Sequence, residues 1–228
     1  MIKFLLIDLD DTILDFHKAE HIGLHNTLRH YGVEPTDETI ALYLQINAAH
    51  WRALEKGEMT RKQVNEGRFV QLFRKLGREV DGEKCAAYYL SQLALTHDYL
   101  PGAEDAILSL SKKYRLYVAS NGTSSVQYPR LAASKLAQYV KKAFISEDLG
   151  QNKPSKAYFD LCFAQIPDFD PRYAMMVGDS LTSDIQGGIN AGIPTCWVNV
   201  FGKENTTSIR PDYEIASLTE LEALLENL

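Results

Sequence analysis

Three aspartates, Asp8, Asp10 and Asp11, fall within four positions directly after the apolar run at residues 4–7, and Thr12 follows them. A second acidic set, Gly178-Asp179 with Asp184, follows another apolar run at residues 173–177. Taken singly, each carboxylate reads as a turn or helix cap that accepts from nearby backbone N–H groups. If the two runs are neighbouring strands, Asp8, Asp10, Asp179 and Asp184 converge on one crevice, where like charges are tolerated only beside a bound cation. An all-oxygen set with too few protein ligands for an octahedron suits Mg²⁺, which keeps waters and takes the rest from a phosphate.

The complementary groups follow two further apolar runs. Ser120, Asn121 and Gly122 come after residues 116–119, and a hydroxyl with loop N–H groups ahead of a helix can hold phosphate oxygens. Lys153 comes after residues 143–145, with Pro154 setting the chain before the next helix. Each has an ordinary alternative. Ser-Asn-Gly is a common turn, and a lysine at a helix start is usually a solvated side chain, badly placed unless an anion faces it.

Positioning these groups falls to the elements around them. The runs at residues 2–7, 116–119, 143–145, 173–177 and 195–200 are short, β-rich and apolar on both faces, the pattern of buried parallel strands. Helical patterns at residues 103–114, 125–139, 156–165 and 184–191 lie between them, the last stopped by Gly192 and Pro194. This alternation predicts an α/β core with a doubly wound, Rossmann-like parallel sheet, whose ligands lie beyond the carboxyl ends of the strands where strand order reverses.

Residues 17–97 break the alternation, reading as about four amphipathic helices punctuated at residues 31–35, 56–58 and 77–82, with no strand. Pro101-Gly102 marks the return to the sheet. The pattern predicts a core of residues 1–14 and 98–228 and a second, smaller all-helical domain inserted over residues 15–97. Residues 202–211 are polar and read as a surface loop.

Composition narrows the function. At 228 residues, 45% hydrophobic and 24% charged, the chain can bury a sizeable core. A net charge of -6 with only the Lys112-Lys113 and Lys141-Lys142 pairs argues against a nucleic-acid polymer or an anionic membrane as partner. The four apolar residues before Asp8 are too few for a signal h-region, and no later stretch approaches a membrane span, so a cytoplasmic protein is expected. Cys85, Cys162 and Cys196 are widely spaced in apolar surroundings and predict buried thiols. His17, His21 and His25 recur every four residues but lack the glutamate of an HExxH zinc site, which favours a polar helix face.

Asp8-x-Asp10-x-Thr12, Ser120, Lys153-Pro154 and Gly178-Asp179 with Asp184, in this order and each after a predicted strand, resemble the motifs of the haloacid dehalogenase superfamily of phosphohydrolases. The resemblance spans the chain, and it explains the insertion, since many members carry a helical cap between the first and second motifs. It implies that Asp8 is the nucleophile, forming an aspartyl-phosphate that water hydrolyses, and that Asp10 is the acid and base. It implies Mg²⁺ on Asp8, the Asp10 backbone carbonyl and Asp179, supported by Asp184. Ser120, the Asn121 backbone and Lys153 would neutralise the transferring group. Asp11 matches no required side chain and reads as a turn residue whose backbone N–H helps. The namesake dehalogenases lack the second carboxylate because a halide leaves without a proton, so Asp10 implies phosphate esters.

The stretches EKGEMTR, NEGRF and GDSLTSDIQGG are most similar to the pyrimidine 5′-nucleotidase branch, which implies a nucleoside monophosphate as the small phosphorylated partner. Phe16, His17 and residues 56–61 are then candidates to meet the nucleoside. Trp51 or Tyr88 could stack a base, although an aromatic at helical spacing is more often core packing. Two alternatives stay open: a phosphatase or phosphomutase for a sugar phosphate or phosphoglycolate, and a Mg²⁺-dependent phosphoacceptor or binding protein. Asp10 discriminates against the second, because a long-lived acyl phosphate is poorly served by a poised base.

Overall fold

The computed structural model describes residues 2–228. Among these, β1 (Phe4–Ile7), β2 (Arg115–Ser120), β3 (Lys142–Ile145), β4 (Ala174–Gly178), β5 (Thr195–Val198) and β6 (Tyr213–Ile215) form one parallel sheet in the order β3-β2-β1-β4-β5-β6. Helices α1 (Phe16–His30), α2 (Asp37–Glu55), α3 (Arg61–Lys75), α4 (Gly82–Leu93) and α5 (Ala103–Lys113) separate β1 from β2. Further along come α6 (Ser124–Ala133), α7 (Ser146–Leu149), α8 (Lys156–Phe163), α9 (Gln186–Ala191) and α10 (Leu221–Glu226).

The apolar run of β1 explains its central place. Side chains alternate across a strand, so Leu5 and Ile7 enter one core cluster with Ile107 of α5 and Leu221 of α10. Phe4 and Leu6 enter another with Tyr158 and Phe159 of α8. A strand covered on both faces must be apolar at every position, as this one is. The chain steps outward from β1 to β2 and β3, then returns to place β4 on the other side of β1, and that reversal opens the crevice. Register levels the strand ends there, since Ile7 pairs with both Val118 and Val177.

Two local predictions change, and two short helices, α7 and α10, are added. The helix expected over residues 125–139 stops at Ala133, because Lys135 takes φ 60° and a short 3₁₀ turn, Leu136–Gln138, follows. Residues 146–149, between the strand expected at 143–145 and the helix expected at 156–165, form a further helix, α7, which ends at Gly150 with φ 67°. Asp184 lies in a widened π-type turn, Leu181–Ile185, and the regular helix begins at Gln186.

The chain divides into two compact units. One runs to Phe16 and resumes over His97–Leu228; the other is His17–Thr96. The second is helical because its helices are well started: Thr36 and Asp81 cap α2 and α4, and Thr60 with Gln63 forms a capping box on α3. Its interior packs the rings of Tyr43, Phe69 and Tyr89 edge to face or tilted. Trp51 lies under Arg61, and Tyr88 stacks on His30 at 4.0 Å, so both aromatics have partners within this unit. The rings of His21 and His25 lie 4.1 Å apart along α1. All three cysteines are buried and free. No helix among the described residues is long and apolar enough to cross a membrane.

Candidate active site

Asp8 extends β1 by one residue, its N–H donating to the Val177 carbonyl at 2.9 Å. The chain then folds back, with the N–H groups of Ile13 and Leu14 both donating to the Leu9 carbonyl at 3.0 and 2.9 Å. Asp11 takes φ 58°, a conformation that aspartate tolerates better than most residues. Its Oδ1 accepts from the Phe16 N–H at 3.0 Å, and its own N–H donates to the Leu14 carbonyl at 2.8 Å. The expected role of the Asp11 N–H at the site is therefore corrected, since that donor is spent holding the turn.

Lys153 is the hub. Its ammonium, 1% exposed, donates to the Ala119 carbonyl at 2.5 Å, to Asp184 Oδ1 at 2.6 Å and to Asp8 Oδ1 at 2.7 Å. An ammonium has three hydrogens, and these partners account for all of them. Asn121 holds the backbone that delivers it, donating from Nδ2 to the Lys153 carbonyl and accepting at Oδ1 from the Lys153 N–H, both at 2.9 Å. Ser120, at the end of β2, accepts at Oγ from the Gly122 N–H at 3.0 Å and from Gln127 Nε2 at 2.9 Å.

Gly178 ends β4, and Asp179 follows with its carbonyl accepting from the Trp197 indole at 2.8 Å. Asp184 is fully buried, and its second oxygen accepts from the Ser180 N–H at 3.0 Å. Carboxylate oxygens of Asp8, Asp179 and Asp184 lie within 4.8 Å of one another. The Asp10 side chain turns to a different set, Gln127 and Arg130 on α6.

The electrostatics follow from three clustered carboxylates, of which Asp8 and Asp184 share the Lys153 ammonium. Burial pushes the Asp8 carboxyl up to about 8 against the pull of Lys153, with Asp184 and Asp10 adding to the rise. Burial, reinforced by Asp184 and Asp8, also holds Asp179 well above the usual carboxylate range. Burial opposes the Lys153 charge, but Asp184 and Asp8 outweigh it and keep the ammonium charged. Excess negative charge with hard oxygen donors fits a divalent cation such as Mg²⁺.

The turn at Gly178 leaves no room for a side chain. A Cβ there would lie 2.3 Å from Asp184 Oδ2 and 2.7 Å from its Cβ. Gly178→Ala should therefore displace Asp184 and, through it, Lys153. The expected result is a loss of about 2 kcal/mol or more in urea-unfolding stability, typical of core overpacking, together with loss of hydrolase activity. Unchanged stability and turnover would show that the turn relaxes freely.

Gln127 and Arg130 were not singled out from the sequence. They sit three residues apart on a helix of ordinary polarity, and the one available signal was their position just beyond Ser120 and Gly122.

Residues 5–198 match the model of the haloacid dehalogenase-like hydrolase family. The crystal structure of the HAD-hydrolase YfnB from Bacillus subtilis bound to magnesium is similar at a TM-score of 0.94 and 41% identity, covering 99% of each chain. The pyrimidine 5′-nucleotidase PynA of Streptococcus pneumoniae is 41% identical, over 96% of this chain and 93% of its own. The pyrimidine 5′-nucleotidase YjjG of Escherichia coli is 33% identical over 97% of each.

Proposed function

The chain belongs to the haloacid dehalogenase-like hydrolases, and from that premise we propose that it is a Mg²⁺-dependent phosphomonoesterase acting on pyrimidine nucleoside 5′-monophosphates. The observation that carries the chemistry is the Asp8 carboxylate at a strand end, 2.7 Å from the Lys153 ammonium, with a second carboxylate two residues on. The substrate class rests on the likeness to PynA and YjjG over nearly the whole chain.

In this reading an Asp8 oxygen attacks phosphorus in line, the ester P–O bond breaks, and the leaving alkoxide takes a proton from Asp10. Water then attacks the aspartyl-phosphate and gives its proton to Asp10, and the bond to Asp8 breaks to release inorganic phosphate. Ser120 Oγ, which accepts two hydrogen bonds, has its own hydrogen to donate to a phosphate oxygen. Lys153 supplies the fixed positive charge, and the Asn121 side chain holds its peptide in place. Mg²⁺ would be held by Asp8, Asp179 and the Asp10 backbone carbonyl, with Asp184 in support, and would supply charge to the phosphate oxygens.

A phosphate-release screen across nucleoside monophosphates, sugar phosphates, phosphoglycolate and acyl phosphates tests the substrate. Uridine and thymidine 5′-monophosphates should exceed the other classes by about tenfold or more in kcat/KM, a margin that a few specific contacts supply. A wide margin for sugar phosphates would remove the nucleotidase assignment and leave the chemistry standing.

A further inference from the structure

Both oxygens of Asp10 are bracketed by α6. Gln127 Nε2 donates to Asp10 Oδ2 at 2.6 Å, and Arg130 Nη1 donates to Asp10 Oδ1. The bracket is braced internally, because Arg130 Nη1 also donates to Gln127 Oε1 at 3.0 Å. It is tied to the phosphate side as well, through the 2.9 Å bond from Gln127 Nε2 to Ser120 Oγ. Gln127 and Arg130 are 1% and 0% exposed, whereas the Asp10 side chain is 24% exposed. The bracket is thus interior, and the group it holds is accessible. Gly122 makes room for it, since a Cβ there would lie 2.1 Å from Gln127 Nε2.

Burying a guanidinium costs several kcal/mol unless an anion accompanies it, and Asp10 forms an ion pair with this one. A carboxylate held through one oxygen can swing about that contact, whereas separate donors on both oxygens set its plane. Each oxygen keeps a second lone pair, and that is where a transferred proton would sit.

We propose that Gln127 and Arg130 are positioning residues that aim Asp10 for proton transfer, with Gln127 setting its direction relative to the Ser120 hydroxyl. The inference rests on the reading of Asp10 as acid and base. A purely structural bracket would stabilise α6 and affect all substrates alike. A positioning bracket matters most when the leaving group needs a proton. An alkyl ester departs as an alkoxide that must be protonated, whereas p-nitrophenolate leaves as a stable anion.

The test measures kcat/KM, which reports the steps through leaving-group departure, for p-nitrophenyl phosphate, phenyl phosphate and an alkyl phosphate. Wild type is compared with Gln127→Leu, Arg130→Met, Arg130→Lys and Asp10→Asn, with melting temperature and circular dichroism as folding checks. The expected result is an alkyl-to-p-nitrophenyl ratio lowered about 10- to 100-fold in Gln127→Leu and Arg130→Met, part of the full effect of a general acid. Arg130→Lys should recover part of the ratio, and Asp10→Asn should show the largest fall. If Arg130→Met does not fold, Gln127→Leu, which removes no charge, decides the matter. A ratio within about twofold of wild type in Gln127→Leu overturns the proposal, whether or not both rates fall together. If Asp10→Asn itself shows no leaving-group selectivity, the acid–base reading of Asp10 falls and the inference with it.

Discussion

Asp8→Asn should lower the rate of phosphate release by more than about 10⁴-fold while leaving a folded protein, because an amide cannot form the acyl phosphate on which both half-reactions of the proposed mechanism depend. Rapid acid quench with labelled substrate should trap a phosphoenzyme in wild type and none in the variant. A second consequence runs the other way, toward stability. Burial raises the Asp8 carboxyl from 3.8 to about 8, so between these pH values the folded chain binds a proton that the unfolded chain has released. Stability therefore falls as pH rises through that window, and this group adds no further change above it. Removing the charge should let metal-free Asp8→Asn melt above wild type at pH 8, by something on the order of 1–3 kcal/mol, with little difference near pH 4. A variant that melts lower at pH 8 would mean that the contact with Lys153 outweighs the cost of burial.

Removing divalent metal should be nearly as severe. Excess chelator should abolish phosphate release, and Mg²⁺ should restore it. Binding is readable without turnover: Mg²⁺ at a hundred times its dissociation constant contributes about 2.7 kcal/mol, or a rise of about 5–10 °C in melting temperature for a chain of this size. Because burial and neighbouring carboxylates raise Asp8 and Asp179, protons compete with the cation for the same oxygens. The Mg²⁺-induced rise should accordingly be larger at pH 8 than at pH 5.5. Asp179→Asn should lose most of it. Full activity in excess chelator, or a melting temperature indifferent to Mg²⁺ at pH 8, would remove the metal from the proposal.

The two experiments separate what the crevice is built to do. Asp8→Asn lightens the negative charge and removes the proposed nucleophile, whereas chelation leaves that carboxylate in place and exposes the charge. A chain that gains stability from the first and loses it from the second is one whose buried carboxylates are held at a cost to stability that the cation offsets.

Much of this was readable along the chain. A strand buried on both faces announces itself as an unbroken apolar run, and β1 does so over Phe4–Ile7. The strand-end residues Asp8, Ser120 and Asp179 could then be picked out because each stands where such a run stops. The helical insertion was visible for the same local reason, unbroken apolar runs giving way to a helical period with no strand signal between.

Other features became visible only when distant segments met. Gln127 and Arg130 lie 117 and 120 residues from Asp10, and within their own helix they resemble any polar face. Lys153, at a helix start, would ordinarily be a solvated lysine; its burial depends on Asp8, 145 residues away, and Asp184, 31 away. Asn121 looked like a turn residue, and its side chain proved to clamp the Lys153 peptide.

By itself the sequence determined most of the elements, their order and the residues standing at the strand ends, because hydrophobic period and turn chemistry are properties of near neighbours. The tertiary structure alone decided which of those residues share a proton, a charge or a hydrogen bond. That depends on β4 returning to lie beside β1 and on interactions that fade within a few ångströms, and no local pattern encodes either.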